Sequence, residues 1–376
     1  MSDFPVVIMI APQGEGAASR WMAKARRAAA IDLWDRLVQV ARLEVVVDAP
    51  DPVDRAALEE LGARLISPNK GTFHFGRRLS EICDDEGWSR LAYFGAASAP
   101  LLTKEQLEAI LDQAQGTDGA AGLVNNLHSS DWLVLNDTRP LRELADRFPK
   151  DNMLGWVLAH EGNVDVRAMP PETAFRADLD TPADVLMIGG HPAAGQHLRM
   201  FAQAAESPLR TQIDELRGAL RQAGNSLGVI GRASSRLWGR LEAEFPIWVR
   251  CFVEERGMVA SGRLAEGTVR SLVAEAVESW GAKRFVALLG EITQAVIWDT
   301  RVWMAHRGPW PSDSDRWSAD LGWLDQIRDP ALMELAEAIV DAPVPIVTGG
   351  QGVVGGSMMA MLDSVESDEA DYQPSR

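Results

Sequence analysis

The sequence of 376 residues has little of several things that would assign it a class. It holds only two cysteines, Cys83 and Cys251, too few for a disulfide framework, so a reducing interior and a cytoplasmic location are expected. Neither has a neighbouring histidine or a C-x-x-C partner. The six histidines (His74, His128, His160, His191, His197 and His306) are scattered without metal-ligand spacing, and there is no G-x-S-x-G elbow. Zinc hydrolysis and acyl-enzyme chemistry are therefore unsupported. Basic residues are short as well: 37 against 54 acidic ones leave a net charge of −17. That balance argues against a nucleic-acid binder, which needs a cationic face, and disfavours adhesion to an anionic membrane. No stretch approaches the roughly 18 apolar residues of a membrane span. The opening MSDFPVVIMIAPQ lacks the basic region of a signal peptide.

Apolar residues, by contrast, make up 46% of the chain, enough for two ordinary domains with a core in each. Up to about residue 190, short apolar runs alternate with amphipathic segments. Val6–Ile10, Val45–Val47, Leu91–Phe94, Ala120–Val124 and Trp132–Leu135 read as buried strands, bounded by Gly, Pro, Asp or Asn. Between them Trp34, Leu37, Val38 and Ala41, and then Leu107, Ile110, Leu111 and Ala114, recur at helical spacing. The pattern predicts an α/β domain over 1–190 with a doubly wound, mostly parallel sheet whose ligands sit beyond the carboxyl ends of the strands. After residue 195 four helical stripes follow. They are Leu209, Ile213, Leu216 and Leu220; Val269, Leu272, Val273 and Val277; Phe285, Leu288, Leu289, Ile292 and Val296; and Leu332, Leu335 and Ile339. They predict a second, mainly helical domain over 197–362, joined by the linker Gly190–Gln196. Eight of the thirteen tryptophans fall in this half and are read as core packing or the wall of a pocket. Residues 363–376 are acidic and poor in apolar side chains, which predicts a disordered tail.

Three segments of the first domain can carry chemistry. The first strand runs into APQGEGAASRWMAKARR, where Gly14 and Gly16 permit a tight turn ahead of a helix. Backbone N–H groups at such a junction favour phosphate, and Arg20 and Lys24, four apart, share a helix face that could grip a polyphosphate or simply be solvated. The fourth strand leads into GAASAPLLT, small residues around Ser98 that let a ligand approach the backbone before a helix capped by Thr103. The third is DLDTPADVLMI. Asp178 and Asp180 stand two apart before a Thr-Pro helix start, placed to ligate Mg²⁺ or, for Asp180, merely to cap. A fourth, polar segment, NNLHSSDW, puts Asp131 after a strand, where it could meet an acceptor.

Taken in this order, these motifs resemble the nucleotidyltransferases of glycosyltransferase-A-type fold, in particular the phospholactate guanylyltransferase and molybdenum-cofactor nucleotidyltransferase families. The resemblance covers residues 5–190. It implies that Gly14, Gly16, Arg20 and Lys24 embrace the phosphates of an NTP, with GTP favoured, and that GTFHFGRRL, with Gly71 and Gly76, lies near the base. It further implies that Asp178 and Asp180 hold Mg²⁺. The second metal carboxylate of the family is missing, because the chain reads Ala96, Ala97, Ser98, Ala99 at that position. Its loss would lower Mg²⁺ affinity, pass the task to Asp131, or abolish catalysis. The expected activity is Mg²⁺-dependent transfer of an NMP group to a small phosphorylated or carboxylated acceptor, bound between the domains of a chain that could form a homo-oligomer. Glycosyl transfer from a nucleotide-sugar is the first rival, given the literal Asp-x-Asp. A catalytically inactive nucleotide-binding or scaffold protein is the second. Near the end, Gly350, Gly352 and Gly355 fit G-x-G-x-x-G, yet Gly356 stands where a phosphate-binding loop has its lysine. A close-packed turn or a loop over the active site accounts for these glycines.

Overall fold

The computed structural model describes residues 4–40, 44–67, 69, 71–114 and 119–371, and for residues 366–371 the backbone alone. The chain forms two compact units. The first comprises residues 1–13, 23–178 and 193–198, the second 14–22, 179–192 and 199–376, so the division differs from the single linker expected at Gly190–Gln196.

The first unit carries seven strands: β1 (Val6–Met9), β2 (Val45–Asp48), β3 (Arg64–Leu65), β4 (Leu91–Gly95), β5 (Ala121–Val124), β6 (Trp132–Leu135) and β7 (Asp165–Ala168). They are ordered β3-β2-β1-β4-β6-β5-β7, and β6 alone runs antiparallel to its neighbours. Both faces are covered, so the strands read as unbroken apolar runs. Val6, Ile8, Val47 and Phe94 pack on Leu33 and Leu37 of the helix Ala17–Val40 and on Leu107 and Leu111 of the helix Lys104–Gln113. The alternate residues Val7, Val46 and Tyr93 face Leu79 and Ile82 of the helix Phe75–Asp85 and Leu154 of the helix Leu154–His160. This is the doubly wound, mostly parallel α/β sheet expected. Its strand order reverses between β1 and β4, which makes the carboxyl ends of these two strands the place to look for a ligand.

The second unit is rich in helices, as expected, but they surround a sheet that the sequence reading left out. Strands β8 (Ser226–Gly231), β9 (Trp248–Val253), β10 (Ala295–Asp299) and β11 (Ile346–Gly349) are all parallel, in the order β11-β10-β8-β9. The third stripe was read one turn too far. Thr293 N–H closes the helix Ala282–Ile292 on Leu289 O, and Gln294 N–H already bonds Ser226 O, so Val296 belongs to β10. Likewise Val269 lies outside the helix Leu272–Trp280, where Leu272 is exposed. The other two stripes lie on the helices Pro208–Arg221 and Pro330–Val340 and are buried. Of the eight tryptophans, Trp298, Trp303 and Trp317 enter the core, whereas Trp238, Trp248, Trp280 and Trp310 are exposed, so core packing explains only part of the set. The expected disordered tail is helical as far as it is described: the helix Gly356–Asp371 runs through its first residues, and 372–376 lie outside the described residues. No helix among the described residues is long and apolar enough to cross a membrane.

Candidate functional site

Strand β4 ends in a turn built from its small residues. Gly95 N–H donates to Asp131 O at 3.1 Å, and Ala96 N–H donates to Met9 O at 2.9 Å, tying the turn to the end of β1. The Ser98 hydroxyl donates to Gly95 O at 2.7 Å, and Ala99 takes a positive φ of 57°. Ser98 pairs across an antiparallel bridge with Asp178 and is 2% exposed. Its hydroxyl is thus spent on the turn; what the segment presents is the edge of the loop itself.

Three carboxylates gather beside this edge. Asn125 brackets Asp131, donating from Nδ2 to Oδ2 at 2.5 Å and accepting the Asp131 N–H at 2.9 Å. The Tyr93 hydroxyl donates to Asp151 Oδ2 at 2.9 Å. Burial holds the Tyr93 phenol well above its ordinary pKa, and the charges of Asp151, Asp131 and Asp178 push the same way. Of the three, Asp151 is the one bonded to the phenol. Asp131 and Asp178 were anticipated from the sequence; Asp151 was not, since it opens the short 3₁₀ helix Asp151–Met153, which carries no motif. Carboxylate oxygens suit a hard divalent cation such as Mg²⁺, but these three do not have their ligand atoms within 4.8 Å of one another.

Among the described residues, one group of three metal-capable side chains has its ligand atoms within 4.8 Å of one another: Glu275, Glu278 and His306, in the second unit. His306 Nδ1 accepts the Ser271 N–H at 3.1 Å, so the neutral ring carries its proton on Nε2. That nitrogen lies 3.6 Å from Glu275 and faces it as a donor, with no lone pair for a metal.

The loop after β1 is exposed from Ala11 to Glu15. Gly16 has φ +95°, and a Cβ there would lie 2.1 Å from Ser314 Oγ, so this position requires glycine. Its carbonyl accepts the Arg20 N–H at 3.1 Å in the first turn of the helix Ala17–Val40. Arg20 and Lys24 are exposed one turn apart on that helix, as their spacing predicts, and form no ion pair among the described residues. Gly71 is exposed with open space where a Cβ would stand. Gly76 is different. It is buried in the helix Phe75–Asp85, and a Cβ would meet Ala145 O at 2.2 Å, so close packing requires glycine here.

In DLDTPAD the division between units falls after Asp178. Asp178 is half-buried in the first unit, while Asp180 is exposed in the second, its carbonyl accepting Trp317 Nε1–H at 3.1 Å. Thr181 and Asp184 form a capping box at the helix Pro182–Gly189, and the glycine-rich loop after β11 closes on it. A Cβ on Gly352 would lie 2.0 Å from Asp184 Oδ1. These glycines serve close packing, one of the two readings their spacing allowed. Burial, with the neighbouring charge of Asp180, pushes the Asp184 carboxyl up to about 7. This group was missed, although Thr-Pro-x-Asp is itself the signal of a capping box.

No protein-family model and no curated protein matches the chain. Among solved structures, CMP:2-keto-3-deoxy-manno-octonic acid synthetase complexed with CTP is similar at 14% identity, with 54% of this chain and 100% of that chain covered and a TM-score of 0.35. A cytidylyltransferase from Leptospira borgpetersenii serovar Hardjo-bovis is similar at 12% identity, covering 50% and 86%, with a TM-score of 0.36. At these values the likeness adds nothing to the architecture already read from the strands.

Proposed function

We propose that the first unit is a nucleotidyltransferase domain that moves an NMP group from an NTP to a small phosphorylated or carboxylated acceptor. An acceptor oxygen would form a bond to the α-phosphorus as the bond to the bridging oxygen breaks and pyrophosphate leaves. One observation carries the reading: the end of β4 and its turn touch Asp151 through the Tyr93 hydroxyl, Asp131 through Gly95 N–H and Asp178 through its bridge with Ser98, beside the point where the strand order reverses. These carboxylates would supply oxygen ligands where the alanines of GAASAP supply none. Asp178, with Asp131 and Asp151, would hold Mg²⁺, and Asp180 remains a ligand by motif alone. When bound, the cation would neutralise phosphate charge as it develops. Lys24 would hold the NTP phosphates, and the sequence resemblance favours GTP as donor.

The test is thermal stabilisation by ATP, GTP, CTP, UTP and sugar nucleotides, each with and without Mg²⁺, because a ligand selective for the folded state raises the melting temperature. The expected result is a Mg²⁺-dependent shift with one NTP that is lost in Asp178→Asn and Asp131→Asn. A shift with sugar nucleotides alone would replace the reading by glycosyl transfer. No shift with any of them would leave a scaffold.

A further inference from the structure

The two edges of the second sheet are treated differently. Strand β11 is buried along its length, with the helices Pro182–Gly189, Pro208–Arg221 and Asp313–Leu321 packed around it. Strand β9 ends the other side of the sheet, with no further strand beside it among the described residues. Every residue in it is exposed except Val249, which is half-buried. Soluble proteins blunt such an edge with lysine, proline or a bulge. Trp248–Val253 has none of these: it reads WVRCFV and pairs with Ser226–Gly231 residue for residue. Trp248 and Phe252 are 71% and 40% exposed, and Trp238, on the helix Ser235–Glu244 that packs on β9, is 47% exposed. At roughly 200 Å² for a whole aromatic side chain, these three leave about 300 Å² of apolar surface per copy. That is over a third of the about 800 Å² that each side of a standard interface contributes.

The open edge is complementary to a second copy of itself. Trp248 N–H donates to Asn225 O at 2.7 Å, and Glu254 N–H donates to Gly231 O at 3.1 Å. The backbone groups of Trp248, Arg250 and Phe252 therefore turn toward β8, and those of Val249, Cys251 and Val253 turn outward. An antiparallel copy related by a two-fold axis can then centre on residue 250, 251 or 252. Centring on Arg250 sets two guanidiniums opposite each other, which is unfavourable. Centring on Phe252 sets Val249 against Glu255, whose φ of 57° has already left the strand. Centring on Cys251 pairs all three outward residues, Val249 with Val253 and Cys251 with its own copy. It also sets each Arg250 beside the ring of Phe252 of the partner subunit, an attractive cation–aromatic pair.

We propose that β9 pairs antiparallel with β9 of a second chain, centred on Cys251, joining the two four-stranded sheets across a two-fold axis. The assembly closes at two chains, because β11 offers no second open edge, and it does not depend on the chemistry of the first unit. The test is sedimentation equilibrium of the full chain in about 0.15 M salt, where charges beyond about 8 Å are screened. A short bis-maleimide gives a second readout. Cys251 residues paired in this way lie about 5.5 Å apart at Cα, on the face of the sheet where the reagent reaches them, whereas Cys83 is buried. The expected result is a dimer that the reagent crosslinks, with no crosslink in Cys251→Ser. Phe252→Lys sets a lysine against Arg250 of the partner subunit, twice per dimer, and should weaken association about tenfold. Adding Arg250→Glu restores an attractive pair and should recover the dimer, which also shows that the altered strand folds. A monomer, or an assembly larger than two, would overturn the proposal. So would a dimer that survives Phe252→Lys, one that is not crosslinked through Cys251, or a double variant that stays monomeric.

Discussion

The Ser357 hydroxyl lies 2.5 Å from Asp184 Oδ1, joining the first turn of the last helix to a carboxylate 173 residues earlier. The other carboxylate oxygen, Oδ2, accepts the Thr181 N–H and hydroxyl, both at 2.7 Å. Asp184 is fully buried, and its neutral form is favoured up to about pH 7.

This pair makes stability depend on pH. The carboxyl titrates near its ordinary 3.8 when the chain unfolds and near 7 when it is folded. Between these values the folded state binds the extra proton, so the contribution is complete below 3.8 and is lost as the pH rises through 7. Thermal melts from pH 5 to 8.5 should show a falling melting temperature. In Asp184→Asn, whose amide can satisfy Thr181 and Ser357 without a charge, that slope should flatten. An unchanged slope in the variant would reject the assignment.

Gly352→Ala tests the packing of the glycine-rich loop. The added methyl would stand 2.0 Å from a buried oxygen of Asp184 that is itself held by Ser357. Overpacking of this kind costs about 1–3 kcal/mol. Urea denaturation should show a lower midpoint with an unchanged slope, whereas alanine at the open position Gly239 should have no comparable steric cost.

Arg301 and Asp320 form a buried two-pronged pair, Nη1 to Oδ1 at 2.8 Å and Nη2 to Oδ2 at 2.6 Å. Arg301→Met alone leaves a buried charge without its partner and should cost about 3–5 kcal/mol. Adding Asp320→Leu should recover most of that loss, because it removes the stranded charge. A double-mutant cycle read by chemical denaturation decides it; simple additivity of the two losses would contradict the coupling.

The two thiols should behave differently. Cys83 is fully buried and its thiol is pushed up to about 12 by burial, while Cys251 is exposed on β9. A disulfide reagent at pH 8 should modify one thiol per native chain and two after denaturation. Modification of both in the native protein would show that the core around Cys83 opens readily.

What the sequence makes legible follows from local chemistry. Val6–Ile10 and LAYFG announce β1 and β4 because buried parallel strands are apolar on both faces. Asp178 is found through its motif. The sheet of the second unit is hidden for the same kind of reason in reverse: Val296 lies four residues beyond Ile292 and so extends a helical stripe that the chain has already left. Asp151 is not legible at all. It reaches the site through Tyr93, 58 residues away, and no periodicity records a contact made by folding. Asp180 is conspicuous by its spacing, and its side chain is exposed.

The chain passes from one unit to the other after residues 13, 22, 178, 192 and 198. No single cut through the gene therefore yields either half whole. A fragment ending near residue 190 would carry away Gly14–Met22 and Leu179–Gly190 from the unit they help to build, and the complementary fragment would lack them. The two units are separable to the eye but not to a restriction enzyme, so whatever each contributes has to be dissected by point substitution in the intact polypeptide.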